Sequence, residues 1–162
     1  MIGNYIKSNP KLSKKEVKLP CTNSEINDII ATIDSYFHKY NNNTEAMSFP
    51  KVSSMLAIKL MILTGLKYST VRDLKFDDLK IDCNTIKINK YTIRLPINLS
   101  LQFRHYCILR KQTLANPSKC LFCNQDGSQW STSIYSSIAD FLSVTILRMD
   151  KLESPNMVLQ IY

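Results

Sequence analysis

Apolar residues in this chain recur with two different periods, and the switch between them divides it into parts. Ile26, Ile29, Ile30, Ile33 and Phe37, spaced by threes and fours, describe one face of an amphipathic helix ending near Tyr40. Thr22-Asn23-Ser24-Glu25 supplies capping residues just ahead of it, and Asn41-Asn42-Asn43-Thr44 reads as a loop after it. From Val52 to Leu63 the apolar residues are nearly continuous, which predicts a helix buried on most of its surface and central to the domain. That helix stops at Thr64-Gly65, where glycine supplies the backbone freedom to end it, and a new helix restarts at once with Lys67.

After Leu74 the period becomes two. Leu79 and Ile81, Ile86 and Ile88, then Ile93, Leu95 and Ile97 alternate with polar neighbours, with breaks near Cys83-Asn84 and Asn89-Lys90. The economical arrangement is a three-stranded antiparallel meander, with Pro96 at a strand end or sheet edge. Helical spacing returns from Ser100 to Lys111 through Leu101, Phe103, Tyr106, Ile108 and Leu109. Asn116-Pro117-Ser118 and Asn124 to Gly127 read as turns around an extended segment, Cys120 to Cys123. Ser131-Thr132-Ser133 caps a last helix carrying Ile134, Ile138, Phe141, Leu142, Thr145 and Ile146, and Ser154-Pro155 breaks the chain again. The expected class is α+β, a mainly helical domain with a small three-stranded antiparallel sheet. Residues 1–20 read as a basic arm or linker and 21–162 as the domain.

Composition narrows the partners. With 162 residues, 44% hydrophobic and 21% charged, the chain can bury one core and is not a disordered tail. No apolar run approaches the roughly 20 residues of a membrane span, and the N-terminus lacks the apolar centre of a secretory signal. The expected location is cytoplasmic or nuclear, not secreted, with no membrane partner. Five cysteines, an odd count, with Cys21, Cys83 and Cys107 isolated, favour reduced thiols over a disulfide framework. Cys120-Leu121-Phe122-Cys123 has the spacing of half a zinc site, but a second pair is absent, so neither metal nor cofactor is expected.

Lys and Arg outnumber Asp and Glu by 21 to 13, a net charge of +8 that favours polyanions. The arm holds Lys7, Lys11, Lys14, Lys15 and Lys18 with few bulky apolar residues, and such a segment can follow a phosphate backbone. Lys67 stands at a helix start, where a cation gains nothing from the helix dipole, so its partner is expected outside the helix.

Four local matches, collinear over roughly residues 18 to 146, carry a resemblance to a known family. They are Lys18-Leu19-Pro20 with Glu25-Ile26; Thr64-Gly65-Leu66-Lys67-Tyr68-Ser69 with Leu74; Thr85-Ile86-Lys87-Ile88 through Arg94-Leu95-Pro96-Ile97; and Leu121-Phe122-Cys123-Asn124 with Gly127 and Ser131. In this order they resemble the catalytic domain of tyrosine recombinases, the phage-integrase and Xer type. The resemblance implies that fold, double-stranded DNA as partner, DNA integration or recombination as activity, and room for a homo-oligomer on DNA. It covers the catalytic half only.

In that family a tyrosine hydroxyl attacks a backbone phosphate. Two arginines stabilise the charge that gathers there, a hairpin lysine protonates the leaving oxygen, and His or Trp groups add donors. Carried over by position, the catalytic set here would be Lys67, Lys90, Arg148 and Tyr162, and the DNA-binding set Lys67, Lys87, Lys90, Arg94, Lys14 and Lys15. Lys67 stands where the family has its first arginine; it keeps the charge and loses the planar two-point fork. Thr145-Ile146-Leu147-Arg148 occupies the place of an HxLR box with threonine for histidine, and Arg148 and Tyr162 are too close to hold the family's intervening Gly-His step. His38 and His105 sit in segments matched to other helices. The expectation is thus a DNA-binding protein with an incomplete catalytic set. Two alternatives stand beside it: a recombinase fragment completed by another chain or a missing C-terminal segment, and a basic protein-interaction module without a nucleic-acid role.

Overall fold

The computed structural model describes residues 23–40 and 43–132. The expected basic arm with Lys14 and Lys15, the expected last helix, and Arg148 and Tyr162 lie outside the described residues.

Helix α1 runs Asn23–Lys39 and buries Ile29, Ile33 and Phe37, the stripe expected from the spacing of threes and fours. Helix α2, Phe49–Thr64, is the centre. Its N-cap Ser48 accepts from the Lys51 N–H, Pro50 lies in its first turn, and the Ser48 N–H donates to the Tyr36 hydroxyl of α1. Every residue from Val52 to Met61 is buried. Even the hydroxyls inside this run are satisfied locally: Ser53 donates to the Phe49 carbonyl at 2.8 Å and Ser54 to the Pro50 carbonyl at 3.0 Å.

One residue of α2 breaks the apolar rule. Lys59 is buried, and its ammonium donates to Asp34 of α1 at 2.7 Å and to Gln102 at 2.9 Å, with Asn98 as a third acceptor. Gln102 also donates to the same Asp34 oxygen at 2.7 Å. Asn98 and Gln102 belong to helix α4, Ile97–Thr113, so one cation ties three helices together. Burying a charge is tolerable only with such saturation.

A five-residue helix α3, Tyr68–Arg72, follows α2, and a 3₁₀ turn at Phe76–Asp78 leads to the sheet. Strands β1 (Leu79–Lys80), β2 (Thr85–Ile88) and β3 (Tyr91–Arg94) form an antiparallel meander in the order β1-β2-β3, as expected. Leu79 pairs with Ile86 and Ile86 with Ile93, so these three share the face turned to the core. The chain reverses between β2 and β3 through Asn89, whose left-handed φ of 58° is a conformation asparagine tolerates.

Three expected boundaries shift. Ile81 opens a 3₁₀ turn, Ile81–Cys83, and does not extend β1. Ile97 belongs to no strand: Pro96 caps α4, which begins three residues before Ser100. Proline has no N–H to give a ladder but suits a helix start, so the alternation ends at Leu95. Within α4, Leu101 and Ile108 are exposed while Phe103, Tyr106 and Leu109 are buried, because the first two lie on the helix's outer side.

The segment after α4 closes the core. Leu121, Phe122 and Cys123 are buried, and Lys75 and Cys120 form an antiparallel bridge flanked by Phe76 N–H to Lys119 carbonyl and Leu121 N–H to Leu74 carbonyl bonds. Arg110, buried in α4, donates from Nη2 to the Ser118 and Cys120 carbonyls and lies 4.1 Å over the Phe76 ring. Tyr106, fully buried, donates to the Leu121 carbonyl at 2.7 Å, and burial pushes its phenol well above the ordinary value. Cys83, Cys107, Cys120 and Cys123 are free thiols, with Cys123 in the core.

Two stability predictions follow from these contacts. Asp34→Ala strands the Lys59 ammonium and should cost about 1–3 kcal/mol by urea unfolding, whereas Lys59→Met, which removes the charge and keeps the volume, should cost less. Because the folded-state pKa of Tyr106 is raised, the unfolded chain ionises first, so stability is full below about pH 10 and falls as pH rises above it. Tyr106→Phe should lose stability at neutral pH by about 1 kcal/mol and show a shallower alkaline decline in thermal melts.

Candidate nucleic-acid interface

Lys67 is placed by the way α2 ends. Thr64 donates its hydroxyl to the Leu60 carbonyl and accepts from the Leu66 N–H, while Gly65 adopts a φ of 75° and donates its N–H to Met61. Nothing approaches the position a Gly65 Cβ would take, so the left-handed backbone, not crowding, demands glycine there. The chain then swings outward and Lys67 becomes the N-cap of α3, its carbonyl accepting from Thr70 and Val71. Its side chain is exposed and makes no capping bond.

α3 itself is fastened by aromatic and guanidinium groups. Tyr68 is buried, stacks on Trp130 with ring centroids 6.3 Å apart, and donates its hydroxyl to the Ser131 carbonyl at 2.8 Å. Trp130 in turn stacks on Phe122 at 5.5 Å. Arg72 donates through Nε to the Trp130 carbonyl at 2.7 Å and to that of Ser131 at 3.1 Å, and pairs with Asp73 at 3.2 Å. Arg72 is the arginine nearest to Lys67 in sequence, yet its guanidinium is occupied by the Trp130 and Ser131 carbonyls and by Asp73. It does not stand in for the arginine that the resemblance expects at Lys67.

The second element is the β2–β3 hairpin. Lys90 follows Asn89 in the two-residue loop, is exposed, and lies 5.8 Å over the Tyr91 ring. Lys87 and Arg94 are exposed on the strands. Lys87 pairs with Thr92, and Arg94 with Thr85, whereas the buried Ile86 pairs with Ile93; alternation therefore sets both cations on the face away from the core. None of Lys67, Lys87, Lys90 and Arg94 forms an ion pair with a described acid.

Phe103, Tyr106 and Trp130 are core residues, so none of their rings is open to stack on a base. His38 is exposed and His105 half-buried, with its Nδ1 lacking a described partner. Among the described residues no group of three metal-ligating side chains converges, and no helix is long and apolar enough to cross a membrane.

Compared with known proteins, the chain matches no family model, no curated protein and no solved structure.

Sequence reasoning missed the structural cations. Lys59, Arg72 and Arg110 look in the sequence like any other basic residue, and only for Lys59 was there a signal, its position inside an otherwise apolar helix. Arg72→Ala should destabilise the protein by about 1–3 kcal/mol and redshift the emission of the single tryptophan, Trp130, as its loop loosens. Lys67→Ala should leave both the melting curve and that emission within about 0.5 kcal/mol and a few nanometres of the parent, as expected for an exposed residue without partners.

Proposed function

We propose that this protein binds the phosphate backbone of double-stranded DNA in the manner the tyrosine-recombinase resemblance implies, with a catalytic set too incomplete for strand exchange. The observation that carries the reading is the division of labour among its cations. Lys59, Arg72 and Arg110 are consumed by internal acceptors. Lys67 and Lys90 stand exposed at a helix start and a hairpin tip without a described acid as counterion. A net charge of +8 supplies the long-range attraction.

The order of elements supports the same reading: a buried helix ending in Thr-Gly, a short helix, a three-stranded meander, a helix, and the buried Leu121-Phe122 step. A phosphate approached by two lysines gains charge neutralisation. With lysine at position 67 it loses one of the two bidentate guanidinium donors that hold a pentacoordinate transition state, and losing one such donor costs on the order of 10²–10³ in rate. With Thr145 in place of the expected histidine and no Gly-His step between Arg148 and Tyr162, binding with little or no turnover is the chemical consequence.

The test is binding to duplex DNA across a salt series. Lys67→Ala and Lys90→Ala should each weaken binding and flatten the plot of log affinity against log salt by about one unit. Parent protein that binds duplex with no salt dependence, or not at all, would sink the proposal and favour a protein-interaction module. With nicked suicide substrates no covalent complex should form; one that forms and is lost in Tyr162→Phe would overturn the inactive reading.

A further inference from the structure

The outward face of the sheet carries one cation from each strand. Lys80 of β1 pairs with Thr85 of β2, and Thr85 pairs with Arg94 of β3, so Lys80, Thr85 and Arg94 form one row across the sheet. Lys87 is two residues along from Thr85 on β2 and pairs with Thr92. Residues so placed sit on the same face, and Lys87 is the diagonal neighbour of both Lys80 and Arg94, about 7–8 Å from each. All three cations are exposed, none pairs with a described acid, and only threonines lie between them. Like charges set that close on one sheet face repel, and nothing within the sheet offsets it.

We infer that the outer face of the β1-β2-β3 sheet is a second backbone-phosphate contact, on which the duplex continues past the hairpin tip. The inference rests on the phosphate reading of Lys90 and extends it to Lys80, a residue that neither the resemblance nor the hairpin motif singles out. Continuity argues for one extended polyanion. From Lys90 at the tip, the four-residue strands lead back over about 13 Å to the row of Lys80 and Arg94. A regularly repeating chain of phosphates can meet all four cations at once, and the Thr85 and Thr92 hydroxyls add donors of the kind that position backbone phosphates. The opposite face of the same sheet is committed to the core through Leu79, Ile86 and Ile88, so only this face is available.

The experiment uses the full chain and a mixed-sequence DNA duplex, with affinity measured from low to moderate salt. Lys80→Gln should lower the salt slope by about one unit, so that the ratio of affinities at 50 and 200 mM salt shrinks about three- to fourfold. Lys80→Arg should restore it, and the triple Lys80→Gln, Lys87→Gln, Arg94→Gln variant should lower the slope by about three units. Lys111→Gln, on the exposed last turn of α4, should leave it unchanged. Should a variant fold poorly, amine labelling of the parent gives the same answer: added duplex should slow modification of Lys80 and Lys87 and leave Lys111 as reactive as before.

If the parent binds duplex in a Lys90-dependent way while Lys80→Gln keeps the full slope and Lys80 stays unprotected, the sheet face is overturned and the hairpin reading survives. If the parent shows no salt-dependent binding at all, both fall. Equal loss in Lys111→Gln would mark a diffuse field and overturn the local contact. Polyglutamate bound as tightly as DNA, with the same loss in the triple variant, would assign the face to an acidic polypeptide and overturn the phosphate assignment.

Discussion

Everything else in this fold is arranged around a helix that has no solvent side. From Val52 to Met61 α2 is enclosed, with α1 and α4 packed along it and the Leu121-Phe122 segment completing the core. A fully buried side chain of this kind contributes about 1.5–3 kcal/mol, so the run from Val52 to Met61 supplies the largest apolar burial of any element described. A helix so enclosed can reach water only at its ends. The left-handed Gly65 is the exit, and the residue that follows it into solvent within two steps is a lysine. The most exposed cation of the α2–α3 junction is thus a geometric consequence of the most buried element.

That constraint also explains the treatment of charge inside the molecule. Lys59 sits where α1, α2 and α4 meet, and its three acceptors come from α1 and α4, one aspartate and two amides. Arg110 ties the Ser118–Cys120 backbone to α4, and Arg72 ties the Trp130–Ser131 backbone to α3. Both segments lack regular secondary structure of any length, so side-chain donors take the role that a ladder would have in a sheet. Lys67, Lys80, Lys87, Lys90 and Arg94 are exposed and form no ion pair with a described acid, which is why their charge is free to act on solvent.

Much of this was legible in the primary structure. The spacing of Ile29, Ile33 and Phe37 marked the inner face of α1, the unbroken apolar run marked α2, and the Asn-containing breaks marked both reversals of the meander. What was not legible were properties set by tertiary contact. Leu101 and Ile108 fit helical spacing as well as Phe103 does, and only the direction in which α4 docks decides that they face out. Ile97 continued an alternating pattern until the Pro96 ring made a helix start the easier course. For the candidate interface, Lys67 and Lys90 could be named from motif position. That Lys80 shares a face with Lys87 and Arg94 needs the register, Lys80 to Thr85 to Arg94, which no pattern in a single strand encodes.

β3 is a four-residue edge, with its outer side unpaired among the described residues. Such an edge invites a foreign strand to zip on, and flat neutral edges are where soluble proteins begin to aggregate. Here the edge is bracketed by Lys90 at one end and by Arg94 and the N–H-less Pro96 at the other. A second copy attempting to extend the sheet would bring its own bracket of positive charge alongside and would find a donor missing just beyond the strand. The basic character of the hairpin therefore guards the colloidal solubility of the molecule, independently of any anion it meets.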